Sequence, residues 1–189
     1  MDDKKYNLLD EPWICVMKEN GEVKELSLMD VLLHAHQYRR LAGELPTQDV
    51  AVLRLLLAVL QTVVYRYDTD GNEDELLGTK DAYERWKEIW NAGKLPEKPI
   101  QEYLTKWKER FYLYDSDRPF YQVPKAVNGT KYTAAKLNGE ISESNNKLRL
   151  FVNRARNEKK FLSDSEAARW LLYLNGFDDA SAKPKQSGL

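Results

Sequence analysis

The stretch from Val50 to Val64 constrains this 189-residue chain more than any other. Val50, Val52, Leu53, Leu55, Leu56, Leu57, Val59, Leu60, Val63 and Val64 leave a helix there almost no polar face, Arg54 and Gln61 being the interruptions. Pro46 and Thr47 mark its start, because proline fits a first helical turn that has no use for its missing N–H. A helix apolar nearly all round belongs at the centre of a bundle, covered on several sides. Leu56 and Leu57 are therefore expected in the core. The run is shorter than the ~20 apolar residues a bilayer-spanning helix needs, so no membrane partner is expected.

Around this helix the local signals predict an α+β fold, a predominantly helical domain with a small N-terminal antiparallel β-hairpin. Leu8 to Met17 reads as a strand, Asn20-Gly21 supplies the turn, and Glu22 to Leu28 returns as a second strand. Ser27 with Asp30 resembles a capping box and predicts a helix running through Leu41. Two amphipathic helices follow the central one. The first carries Leu76, Tyr83, Trp86 and Trp90 and stops at Gly93; the second carries Ile100, Tyr103, Leu104, Trp107 and Phe111. A capping box at Ser163 and Glu166 opens a last helix through Trp170 and Leu174 that Gly176 ends. Asp178 to Leu189 is polar and Lys-rich, a loop or truncated tail.

Charge is spread unevenly. The net charge is -1, yet residues 145–160 hold six basic side chains against Glu158 alone, a local +5 that leaves -6 for the rest. Such separation gives one surface a field of its own. Cys15 is the single cysteine, so no intrachain disulfide forms, as in a reducing compartment. Met1 to Lys5 is charged with no apolar stretch behind it, unlike a signal peptide. A cytoplasmic protein is expected.

Little catalytic chemistry is visible. His34 and His36 sit two apart on a predicted helix and point in roughly opposite directions, whereas metal ligands want spacings of three or four. No other histidine exists, so no metal site, no catalytic residue and no cofactor are expected. Asp68 to Asn72 resembles part of a calcium loop but lacks its closing glutamate, and reads as a solvated loop. Trp86, Trp90, Tyr103, Trp107 and Trp170 read as core rather than as base-stacking platforms, because they recur at helical spacing. In the basic segment, Lys147, Arg149, Arg154 and Arg156 flank a tip of Leu150, Phe151, Val152 and Asn153. Lys and Arg neutralise phosphates while an amide and an apolar wedge probe base edges. A solvated linker with one phenylalanine tucked into the core has the same composition, and both readings stay open on these grounds.

Four segments, taken in order, resemble the CasA family, the large subunit of the type I-E CRISPR surveillance complex called Cascade. They are Asn7-Leu8-Leu9-Asp10-Glu11-Pro12-Trp13-Ile14, then Phe111 to Tyr114 followed by Arg118-Pro119-Phe120-Tyr121-Gln122, then Phe151-Val152-Asn153, and Glu166 to Leu172. The resemblance makes residues 1–177 an incomplete N-terminal domain of such a subunit. It implies a non-catalytic role in binding target double-stranded DNA, reading its flanking motif (PAM) and recruiting an effector in antiviral defence. The partners implied are the other Cascade subunits, guide CRISPR RNA, target DNA and a helicase-nuclease. Phe151, Val152 and Asn153 match the family's nucleic-acid-facing loop. Ala180 to Lys183 falls where some relatives carry a glycine-rich loop; without glycine, Lys183 would act as a charge. A helical protein-interaction scaffold without nucleic-acid contact is the alternative from another class, and a metal-dependent nuclease a third.

Overall fold

A computed structural model of the chain describes residues 4–124, 134–137 and 161–177. Its architecture is α+β, as the sequence predicts. Strand β1 spans Lys5–Asn7, β2 Ile14–Lys18 and β3 Val23–Leu26. β2 and β3 pair antiparallel with Ile14 opposite Leu26 and Met17 opposite Val23. Gly21 turns the hairpin at φ 84°, a left-handed conformation that glycine enters at no steric cost.

The hairpin is shorter than expected at its start. Leu8 to Trp13 is a turn, because Asn7 recruits the backbone: its side chain accepts from Leu9 N at 3.0 Å, and its carbonyl from Asp10 and Glu11. Leu8, Leu9 and Trp13 are nonetheless buried, so their apolar pattern signals core and not strand.

Helix α1, Leu28–Leu33, starts as predicted on Ser27, whose Oγ accepts from Asp30 N at 3.0 Å. It does not reach Leu41. A 3-10 turn at Ala35–Gln37 leads into β4, Tyr38–Leu41, which joins β2 to complete a three-stranded sheet in the order β3-β2-β4. The free edge of β2 claims these residues, and pairing across the chain overrides the helical spacing.

Helix α2, Pro46–Arg66, runs 21 residues. By length and composition alone it is long and apolar enough to cross a membrane, so the shorter run read from sequence understated it. One face, with Ala51, Val52, Leu55, Leu56, Val59 and Val63, enters a core shared with Ile100 and Leu104 of α4 (Glu97–Lys106). It also packs on α6, Asp164–Phe177. The other face is apolar but open: Val50, Leu53 and Leu57 are 45, 45 and 43% exposed. Leu57 is thus not a core residue, contrary to expectation. Leu56→Ala should cost about 2–5 kcal/mol as a buried truncation, and Leu57→Ala no more than about 0.5 kcal/mol. Denaturant melts of the two variants, one residue apart, check the difference.

Helix α3, Thr79–Ala92, starts after Leu76 and ends at Gly93 in the left-handed conformation (φ 67°), as its sequence signal predicts. Its one buried residue is Arg85. The guanidinium donates to the carbonyls of Val64, Tyr67 and Asp74 and pairs with the Asp74 carboxylate. These bonds satisfy the carbonyls at the end of α2, the part of a helix that lacks internal donors. Tyr83, Trp86 and Trp90 face outward at 56, 53 and 70% exposure. The core reading of Trp86 and Trp90 is therefore overturned; they stack on each other at 5.6 Å instead. Trp170 is buried as expected, while Tyr103 and Trp107 flank the core half-buried.

Candidate nucleic-acid interface

Every residue singled out from the sequence for nucleic-acid contact (Lys147, Arg149, Phe151, Val152, Asn153, Arg154, Arg156 and Lys183) lies outside the described residues. What is described is the frame on either side of the basic segment. Strand β5, Tyr112–Tyr114, leads toward it and α6 leads away. The two meet: Tyr114 Oη donates to Asp164 Oδ1 at 2.8 Å. A short helix, α5 (Ala134–Leu137), also packs on α6.

β5 is held from a distance in sequence. It pairs antiparallel with β1, Lys5 opposite Tyr114 and Asn7 opposite Tyr112. The motif after it folds back on the strand. Phe120 N donates to Tyr112 O and Gln122 Nε2 to Leu113 O, each at 2.8 Å. Phe120 is buried, stacked on Phe111 at 5.7 Å.

α6 starts on the predicted capping box. Ser163 N donates to Glu166 Oε2 at 2.8 Å, and Glu166 N donates back to Ser163 Oγ at 3.3 Å. Arg169, in the middle of this helix, is buried. Its Nη1 donates to Trp13 O at 2.7 Å and Glu25 Oε1 at 2.6 Å, tying α6 to the N-terminal turn and the hairpin. Sequence reading missed Arg169 and Arg85, since nothing local separates a buried arginine from a surface one. Most residues of the quoted Asn7–Ile14 and Glu166–Leu172 segments thus hold the fold together.

Partial burial (the residue is still 43% exposed), and then the bond to Asp164, push the Tyr114 hydroxyl up to about 12. Burial likewise raises Tyr6 to about 12, helped by the negative charge of Glu25. The folded protein holds these protons more tightly than the unfolded chain, whose tyrosines titrate near 10. Their contribution is whole below pH 10 and lost as pH rises through about 12. Stability should therefore fall over that alkaline window, and Tyr114→Phe, which cannot ionise or donate to Asp164, should flatten the fall. Melting temperatures across the window check this.

The remaining chemical candidates are accounted for by structure. His34 caps α1, with Nδ1 3.1 Å from Asp30 O, and His36 sits in the 3-10 turn. Among the described residues no group of three or more His, Cys, Asp or Glu side chains is placed to hold a metal ion. Asp68 takes N–H groups from Asp70 and Asn72 at 2.9 and 2.8 Å and the Asn72 amide at 2.8 Å. The Asn72 side chain, then its backbone N–H, hold that carboxyl below its usual range; it organises its own turn. Burial pushes the Cys15 thiol up to about 11, so it stays protonated and weakly nucleophilic near neutrality. Beyond α2, a cavity of about 530 Å³ is lined by Asp68, Asp70, Asp74, Asp81, Glu84 and Glu88, a face that repels phosphates.

Comparison with known proteins agrees with this frame. The model of the CRISPR-associated protein Cse1 family matches residues 7–187. CRISPR-associated protein CasA/Cse1 of Thermus thermophilus is 32% identical over 174 residues, 92% of this chain and 32% of the relative. The crystal structure of Thermobifida fusca Cse1 superposes with a TM-score of 0.71 at 32% identity, covering 91% of this chain and 30% of that one. A chain of a CRISPR RNA-guided surveillance complex in a pre-nicking state has the same fold, with a TM-score of 0.71 at 20% identity over 91% of this chain and 34% of its own. The chain spans about a third of the length of these relatives.

Proposed function

Because this chain belongs to the CRISPR-associated Cse1 family, we propose that it acts as the N-terminal part of the large subunit of a Cascade surveillance complex, with residues 1–177 as an N-terminal domain of that subunit. The family match along residues 7–187 carries this reading. In it, the subunit contributes to flanking-motif recognition and target duplex binding without catalysing a reaction, in the cytoplasm. Its partners are the other subunits, guide CRISPR RNA, double-stranded DNA and a helicase-nuclease effector.

The basic segment carries the contact. Lys147, Arg149, Arg154 and Arg156 would hold phosphates, which position a protein on DNA. Phe151, Val152 and Asn153 would meet the bases, and Lys183 would add a charge. The separation of charge along the chain supports this placement, since residues 145–160 carry a local +5 in a protein of net charge -1.

Two measurements test the reading. A complex assembled without this subunit should lose target capture, and adding it back should restore capture. The chain incubated with single- and double-stranded DNA and RNA under magnesium or manganese should show no cleavage. Cleavage above background that disappears when a carboxylate between Asp68 and Glu75 is mutated would establish a nuclease instead.

A further inference from the structure

We propose that the cleft between Arg110, Arg118 and Tyr121 binds one unpaired nucleotide of a single-stranded nucleic acid, its base against the Tyr121 ring and its phosphate on the guanidiniums. The inference rests on the reading above only in taking nucleic acid as the ligand class; the site is separate from the basic segment.

The cleft measures about 490 Å³, within the ~300–1,000 Å³ of small-ligand sites. Its apolar side is formed by Leu55, Phe111 and Phe120. Tyr121 lies beside Phe120 with ring centroids 4.7 Å apart, yet is 50% exposed. The result is an aromatic shelf with one ring fixed in the core and the next presented to solvent.

Backbone conformation at Tyr121 is the second observation. Its φ is 54°, in the left-handed region where a bulky residue is an outlier. Glycine or asparagine would make the same turn more cheaply. Tyr6 shares this conformation (φ 57°) but lies half-buried in β1, whereas Tyr121 presents its ring to solvent, and exposed strain of this kind concentrates at ligand sites.

Charge selects the ligand. Arg118 and Arg110 both line the cleft, and arginine's planar fork matches a phosphate. Arg110 lies over the Trp107 ring at 5.6 Å. Asp117 also lines the cleft and pairs with the Nε edge of Arg118 at 3.2 Å. Asp115 accepts from Asp117 N at 2.8 Å and Arg118 N at 3.1 Å; these two bonds hold its carboxyl below the usual range and shape the turn presenting Arg118. A base can stack on a ring only when its own faces are free, so the ligand is a single strand and not a duplex.

Fluorescence anisotropy of the 189-residue chain tests this with labelled mixed-sequence octanucleotides, one RNA and one DNA, and with a matching duplex. Wild type should bind an octanucleotide, and the stronger arm identifies the sugar. Arg118→Ala and Tyr121→Gly should each weaken that binding about tenfold, and Tyr121→Phe less than about twofold. Tyr121→Gly should melt no lower than wild type, because it relieves the strained φ, so its loss of binding is not unfolding. Failure of wild type to bind either octanucleotide, or binding by Arg118→Ala and Tyr121→Gly within about twofold of wild type, overturns the site. If at the same time Arg149→Ala weakens duplex binding, the proposed function stands and only this site falls. The reverse pattern, single-strand loss at Arg118 and Tyr121 with wild-type duplex binding absent, keeps the site and removes the duplex reading.

Discussion

Trp13→Ala should lose about 3–5 kcal/mol of folding stability, the range for truncating a buried tryptophan. The indole is fully buried and its Nε1 donates to Leu8 O at 2.9 Å. The Trp13 carbonyl receives Arg169, so this one residue joins the N-terminal turn to α6. A cavity there strips packing from the core, and Leu8 O loses one of its two donors while keeping Leu28 N at 3.1 Å, so the cavity dominates the cost. Trp90→Ala should cost less than about 1 kcal/mol, since its ring is 70% exposed and loses chiefly a stacking contact. Denaturant melts on the two variants test the assignment of inner and outer tryptophans. Equal losses would mean that α3 turns its aromatic face inward.

Phe151→Ala combined with Asn153→Ala should weaken target capture by the assembled complex by about tenfold, a loss in the range of one good base contact, with the melting temperature unchanged. The motivation is the tip of Phe151, Val152 and Asn153 between Arg149 and Arg154, together with the family match that runs through it. A phenylalanine packed into the core gives the opposite pattern: about 3–5 kcal/mol lost on truncation and normal affinity in the folded fraction. Melting and affinity on the same protein decide between the two.

Local signals made much of the fold legible in the sequence. The Asn20-Gly21 turn, the caps at Ser27 and Ser163, and the Gly93 stop each act within a few residues, and each stands where expected. What was illegible is long-range. The pairing of Lys5–Asn7 with Tyr112–Tyr114 links segments with no shared local mark. Residues 38–41 became strand because β2 had an open edge. Periodicity placed Leu57, Trp86 and Trp90 on regular helices but could not say which face meets the core; Arg85, by reaching carbonyls at the end of α2, decides that for α3.

The candidate interface was legible only in part, for the same reason. A run of basic residues around an amide and an apolar tip is visible as composition, whereas the joining of β5 to α6 through Tyr114 and Asp164 depends on tertiary contact. The Arg110–Tyr121 cleft left no trace beyond the motif itself, because a positive φ at a tyrosine has no sequence signature.

Duplex DNA affinity as a function of salt, compared between wild type and Arg149→Ala, tests most directly the claim that this chain recognises DNA through residues 145–156. If the segment holds phosphates, affinity should fall linearly on logarithmic axes as salt rises, and Arg149→Ala should make the slope shallower by about 0.9, one phosphate contact's worth. An affinity indifferent to salt, or an Arg149→Ala slope identical to wild type, would contradict it.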